Sequence, residues 1–410
     1  MRYGIRTFEL GARLKRIRDH RLGSRVELPG AVLLTGLLAL IWGQARSIRT
    51  ATARPGGLLG EAKLRKALLG FGYRARKLVA DASTLYAYLR QVVVGHLQRL
   101  NVQICKKLKQ MKAVQFEGVL AACLDATGVP TPTDVYANEG TLSQTRKRKT
   151  KDGQEIEVKN YYYLLSNLYT VGGPASCYLG FQVARVGEAE ASRALLNWAV
   201  TQEAYGPRFI DVLLADALYC NQVDLRLFTE IATTGWIVRA NRNVGAVADA
   251  ERLLSEGESV VCTIKGDRTV VRAVPLQWPE VGENLRLFEV SRDGGDTLMF
   301  VTNLHWGLER LARLGRARWG IENNLHKEIK HEWPFRYLAS RSLHGLKAWW
   351  WLVALAFNLF HAFFDRQVQP RLGARRFPSL RAAREYFLRH LLDGALRRVV
   401  GEIVGQEEFG

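Results

Sequence analysis

The chain has 410 residues, with 59 Lys+Arg against 39 Asp+Glu and a formal charge of +20. Its 48% hydrophobic and 24% charged residues can furnish a full core, which excludes a wholly disordered chain or a small disulfide-stapled one. Such a cationic surplus suits polyanions, phosphate backbones foremost, with membrane surfaces and plain solubility as the other readings.

Residues 1 to about 115 are helical in pattern and hold most of the charge: the first hundred carry 19 Lys+Arg and 5 Asp+Glu. The first 27 residues are polar, basic and too long for a signal peptide, so the expected compartment is the cytosol. Ala31 to Trp42 is apolar but far short of the ~20 residues a spanning helix needs, and reads as a buried helix. The stretch EAKLRKALLGFGYRARKLVADASTLYAYLRQV offers a helix, a Gly-containing break and a second helix capped by Asp81 or Ser83. It reads either as a helix-turn-helix or as a basic helical hairpin with solvated faces.

From Gly118 the texture changes to short apolar runs. VLAACLDAT reads as a buried strand ending at Asp125, and YYYLLSNLYTV and SCYLGFQVARV as a strand pair about Gly172-Gly173-Pro174. EAEASRALLNWAVTQEA is helical in pattern, FIDVLLADA is a buried strand ending at Asp216, and a helix to about Thr233 precedes the strand GWIVRAN. The order is β-β-β-α-β-α-β. Between these strands, the run Arg146-Lys147-Arg148-Lys149-Thr150-Lys151 reads as a charged loop, either a solvated face or a phosphate contact.

Residues 246–305 switch to hairpins around Lys265-Gly266-Asp267-Arg268 and Asp293-Gly294-Gly295-Asp296, which predicts a small all-β insertion. Helix then returns. Ala348 to Phe364 is long enough to raise the question of a membrane, but Asn358, His361 and basic flanks argue for a core helix. A basic amphipathic stretch closes the chain.

Three carboxylates carry the chemical argument. Asp125 and Asp216 each stand at the end of a predicted buried strand, where a rigid frame can project ligand-binding groups; the plainer reading is that each caps a turn. In GRARWGIENNLHKEIKHEW, four-residue spacing puts Arg318, Glu322, His326 and Lys330 on one polar helical stripe beside an apolar stripe of Ile321, Leu325 and Ile329. That suits the wall of an active site, or a solvated face of i,i+4 pairs. Carboxylates that meet in a cationic, phosphate-seeking protein call for hard cations, two Mg²⁺ or Mn²⁺ ions in the usual two-metal arrangement. Arg318, His326 and Lys330 beside them, and Arg146, Lys147 and Arg148 in the loop, are the candidate phosphate and DNA contacts.

Other templates are missing. The sequence has no His-Glu-x-x-His, no Gly-x-x-x-x-Gly-Lys-Ser/Thr and no Gly-x-Ser-x-Gly. The five cysteines are dispersed and form no Cys-x-x-Cys, which argues against a zinc ribbon or disulfide framework.

On these segments, CLDATG, VLLADALY, WIVRANRN, FVTNL, RWGIENNLHKEIK and LKAWWWLVALAFNLF, the chain resembles the DDE transposases of bacterial insertion sequences, over about residues 118 to 365. It resembles especially the cut-and-paste group, whose RNase H-like core is interrupted by a β-rich insertion. The resemblance implies an α/β fold: a mixed RNase H-like sheet flanked by helices, split between 116–245 and 306–366 by the insertion at 246–305. A basic helical DNA-binding region at 1–115 and a helical tail at 367–410 complete it. It also implies that Asp125, Asp216 and Glu322 are the catalytic, metal-binding triad that cleaves at element ends and joins the 3′-hydroxyl to target DNA. The implied partners are terminal inverted repeats, target DNA and a second copy of the chain, in a bacterial cytoplasm beside the nucleoid and without a membrane. The group's Tyr-x2-Arg-x3-Glu-x6-Lys signature is matched by Arg318 and Glu322, whereas Gly315 and Ile329 occupy its tyrosine and lysine positions, with Lys330 one residue late. An RNase H-like nuclease or resolvase, and a non-catalytic DNA-binding derivative, are the alternative readings.

Overall fold

The computed structural model describes residues 7–19, 28–43, 47–52, 81–131, 140–150, 152–231, 235–293, 295–372 and 382–383. The N-terminal part contributes helices α1 (Leu10–Lys15), α2 (Gly30–Trp42), α3 (Ile48–Thr52), α4 (Ala82–Gln91) and α5 (Val94–Gln110). Helix α2 is apolar all round and every one of its residues is buried, the only stable position for a helix with no polar face. Helix α4 starts where expected: the Asp81 carboxylate accepts the Thr84 backbone N–H at 2.8 Å. The preceding helix of the possible helix-turn-helix, residues 61–80, lies outside the described residues.

Among the described residues ten strands form one mixed sheet. They are β1 (Ala121–Pro130), β2 (Leu142–Lys149), β3 (Glu155–Thr170), β4 (Tyr178–Val183), β5 (Val212–Ala215), β6 (Gly235–Arg239), β7 (Glu258–Ile264), β8 (Asp267–Trp278), β9 (Gly282–Arg292) and β10 (Thr297–Thr302). The strands β1, β3 and β4 form an antiparallel set, and β5 and then β6 add parallel to β1. Between them, α6 (Glu188–Ala199) and α7 (Gln222–Ile231) supply the crossovers that parallel pairing requires.

Three expectations change. Strand β1 does not stop at Asp125: it runs on to Pro130 because β3 continues to offer partners, from Asp125 opposite Asn167 to Pro130 opposite Tyr162. The basic run at 146–149 is strand, not loop, paired residue for residue with Glu155 to Val158 of β3. Nor do residues 246–305 form a separate all-β body. Helix α8 (Gly245–Glu251) occupies their start and packs on β8, and β10 pairs antiparallel with β6, so the meander β7 to β10 extends the core sheet. The edge of β6 would otherwise expose its hydrogen-bonding groups.

After β10 come α9 (Leu308–Ala317), a π-helical turn at Ile321–His326, α10 (Lys327–His331) and the long α11 (Leu343–Phe363). Among the described residues α11 is the one helix long and apolar enough to cross a membrane, yet 94% of its most apolar window is buried inside the protein. It packs against α2, α4, α5 and β4, and Trp42 Nε1 donates to Ala356 O at 3.0 Å. On β4, Gly180 leaves space for two indoles, because a Cβ there would stand 2.9 Å from Trp198 of α6 and 3.0 Å from Trp351 of α11.

Asn358 and His361, the buried polar residues of α11, each have polar partners. Asn358 accepts the Tyr178 N–H at 2.6 Å and donates to Asn101 Oδ1 at 2.8 Å and Tyr178 O at 2.9 Å. His361 lies 2.9 Å from Glu328 of α10 through Nε2 and 2.9 Å from Asp365 through Nδ1.

Candidate active site

Parallel pairing brings the two aspartates together. Leu124 of β1 sits opposite Ala215 of β5, so Asp125 and Asp216 occupy the next step on neighbouring strands. At Asp216 the chain leaves the sheet for a 3-10 turn, Ala217–Tyr219, whereas Asp125 is held mid-strand with its Oδ1 accepting the Ala126 N–H at 2.9 Å.

The third carboxylate arrives through Arg318. This guanidinium is buried, 3% exposed; its Nη1 donates to Glu322 Oε1 at 2.9 Å and lies 3.9 Å from Asp216 Oδ1. Arg239, at the end of β6, also approaches Asp216 Oδ1, at 3.9 Å. One expectation is corrected here. The stretch around Glu322 is not a continuous α-helix, since α9 ends at Ala317 and a π-helical turn spans Ile321–His326. The apolar stripe survives, with Ile321, Leu325 and Ile329 all buried. The polar stripe divides: Glu322 turns to Arg318, while His326 turns to Asp125, Nδ1 to Oδ2 at 3.5 Å. Local widening of a helix is a recurrent way of re-aiming side chains at functional sites.

Electrostatics separate the groups. Burial, followed by the nearby Glu188 carboxylate, pushes Asp125 up to about 7. Burial and Lys330 push His326 down to about 3, so at neutral pH its contact with Asp125 is made by a neutral imidazole and is no ion pair. Lys330 is itself lowered by burial and by Arg336, with Asp125 acting in the opposite sense. Asn167 lies between them: its Nδ2 donates to the Asp125 backbone O at 3.4 Å and is 3.5 Å from His326 Nε2.

Glu188 is a site residue that sequence reading missed. The first residue of α6, it accepts the Tyr219 hydroxyl at 2.9 Å; that hydroxyl also meets Ser192 at 2.7 Å, and Ser192 meets Ser166 at 2.7 Å. Burial raises its pKa and Asp216 adds to the effect. An acid at a helix start is ordinarily read as a complement to the helix dipole, which hides any second role. Arg146, Lys147 and Arg148 are not drawn into this cluster. The contacts of Arg146 and Lys147 stay within the β2–β3 hairpin, with Gln144 and Glu155.

Among the described residues no group of three or more His, Cys, Asp or Glu is gathered closely enough to hold a metal ion as placed, Glu322 being turned onto Arg318. The donors nonetheless suit a hard cation. They are carboxylate oxygens, Asp125 is crowded by burial and like charge, and Asp216 Oδ1 is shielded from solvent without a hydrogen-bond partner.

A family model described as the transposase DDE domain matches residues 120–359. Among solved structures, the chain is similar to a cryo-EM structure of the piggyBac transposase synaptic complex with hairpin DNA, at 9% sequence identity and a TM-score of 0.42, over 98% of this chain and 81% of that one. No curated protein matches the sequence. With the matched segment covering more than half its length, from the strand that bears Asp125 into the long helix α11, the chain belongs to the DDE transposase family.

Proposed function

We propose that the protein is a DNA transposase that cleaves phosphodiester bonds at the ends of its element and transfers the freed 3′-hydroxyl into target DNA, with Asp125, Asp216 and Glu322 as the catalytic carboxylates. The observation that carries this reading is the placement of two aspartates at the same step of adjacent parallel strands, with the buried Arg318 guanidinium lying between Asp216 and Glu322. The strand order β4-β3-β1-β5-β6, with β5 and β6 parallel to β1, supports an RNase H-like core.

Asp125, Asp216 and Glu322 would hold the divalent ions, Mg²⁺ or Mn²⁺, two being expected. When bound, these ions activate the attacking oxygen and stabilise the leaving one during in-line displacement. The chain's own residues do the rest. The strand pair fixes the two aspartates, Arg318 orients Glu322, and Lys330 and Arg318 offer cationic donors for non-bridging phosphate oxygens. His326, neutral and buried, orients the Asp125 carboxyl.

The basic N-terminal helices, where Arg13, Arg16, His96 and Arg99 line a surface hollow, and the basic β2 strand lie in the proposed path of DNA. Two element ends must be brought together, which calls for a dimer, acting where the chromosome is, in a bacterial cytoplasm.

The test is cleavage of a duplex carrying the inverted repeats that flank the gene. Asp125→Asn should abolish divalent-ion-dependent cutting while duplex binding persists, and undiminished cutting would overturn the assignment. Strand breaks with no joining to a second duplex would leave a nuclease in place of a transposase.

A further inference from the structure

Beyond Tyr161, whose carbonyl still accepts the Thr131 N–H at 2.9 Å, residues 155–160 pair, among the described residues, only with β2, and together they make an arm of about 20 Å at strand rise. A two-stranded ribbon without a packed face is marginal in water, so the arm's use lies in what it meets. Register decides what each face offers. Lys147 stands opposite Glu157 and Lys149 opposite Glu155, with Lys147 Nζ 3.8 Å from Glu155; Lys159, on the same face, lies over the Tyr161 ring at 5.4 Å. The cations of that face are largely answered from within.

The other face is different. Arg146 stands opposite Val158 and Arg148 opposite Ile156, flanked by Gln144 and Asn160, with no carboxylate in the set. Gln144 Oε1 accepts from Arg146 at 3.0 and 3.1 Å and spreads that guanidinium along the strand, and Ile156 is 43% exposed beside Arg148.

We infer that the Arg146–Arg148 face of this arm is a docking surface for the phosphate backbone of duplex DNA, and that Lys147 is not part of it. The inference rests on the transposase reading and narrows it. Guanidinium forks suit phosphate oxygens, and alternate residues along a strand, about 7 Å apart, suit successive phosphates.

The experiment measures affinity of the full chain for a 40-base-pair duplex by fluorescence anisotropy across salt, comparing the pairs Arg146→Ala/Arg148→Ala and Lys147→Ala/Lys149→Ala. Two lost phosphate contacts make the log–log salt slope shallower by about 1.8, so that between 50 and 200 mM salt the unaltered chain loses about twelvefold more affinity than the arginine variant. The lysine variant should show less than half that change. Equal effects of the two pairs, or none from the arginines, overturn the face assignment while leaving the transposase reading standing. Failure of the unaltered chain to bind duplex at all sinks both. An arginine dependence seen with polyglutamate but not with duplex overturns the proposal in favour of an acidic protein segment.

Discussion

His361 offers the sharpest test of how the glutamate-bearing segment is held. Burial works against an imidazolium at this site, but Glu328 and Asp365, each 2.9 Å away, outweigh it and raise the pKa to about 10. Against an unfolded value of 6.5, the folded state holds one more proton between the two values, so stability is full below pH 6.5 and declines as pH rises toward 10. Each pH unit in that window costs about 1.4 kcal/mol, and the whole shift corresponds to roughly 5 kcal/mol as an upper figure. Removing the imidazole takes the shared cation from two half-buried carboxylates, a change of roughly 3 kcal/mol, at the low end for an ion pair broken from one side.

The assay is urea unfolding of the wild type and of His361→Gln at intervals from pH 7 to 9.5. The difference in unfolding free energy between the two should shrink by about 1.4 kcal/mol per pH unit, which cancels the lysines and thiols titrating in both. A difference that stays flat across the window would falsify the charged-histidine account. Because Glu328 lies six residues after Glu322, DNA cleavage by the variant should weaken as well.

Two further predictions rest on buried polar contacts. Asn358→Leu removes the acceptor of the Tyr178 N–H and the donor to Asn101, and should cost about 2–4 kcal/mol, seen as a lower urea midpoint at an unchanged slope. Arg318→Lys keeps the charge but cannot span Glu322 and Asp216 with one planar group; cleavage should fall roughly 10- to 100-fold and need more divalent ion, while an unaltered ion titration would remove Arg318 from its positioning role.

Much of this protein is legible one residue at a time. The apolar run at 31–42 could only be a buried helix, the period and turn residues marked the inner half of β3 from Tyr161, together with β4, β5, β6 and the hairpin strands, and the Asp81–Ser83 cap announced the start of a helix. Asp216 was found at a strand end because the apolar run VLLA stops there. These features depend on local patterning, which the chain carries in its order of residues.

What depended on partners distant in sequence was hidden. Asp125 lies mid-strand because β3, about forty residues on, continues to pair with it. The run Arg146 to Lys149 has no apolar alternation, so only the opposite strand reveals it as β structure and sorts its cations into two faces. Glu188 looked like an ordinary helix-start acid until Tyr219 and the two aspartates were folded against it. Local order determines which elements exist and which face of each is apolar; only tertiary pairing decides which charges become neighbours, because Coulomb and hydrogen-bond energies depend on separation in space and not along the chain.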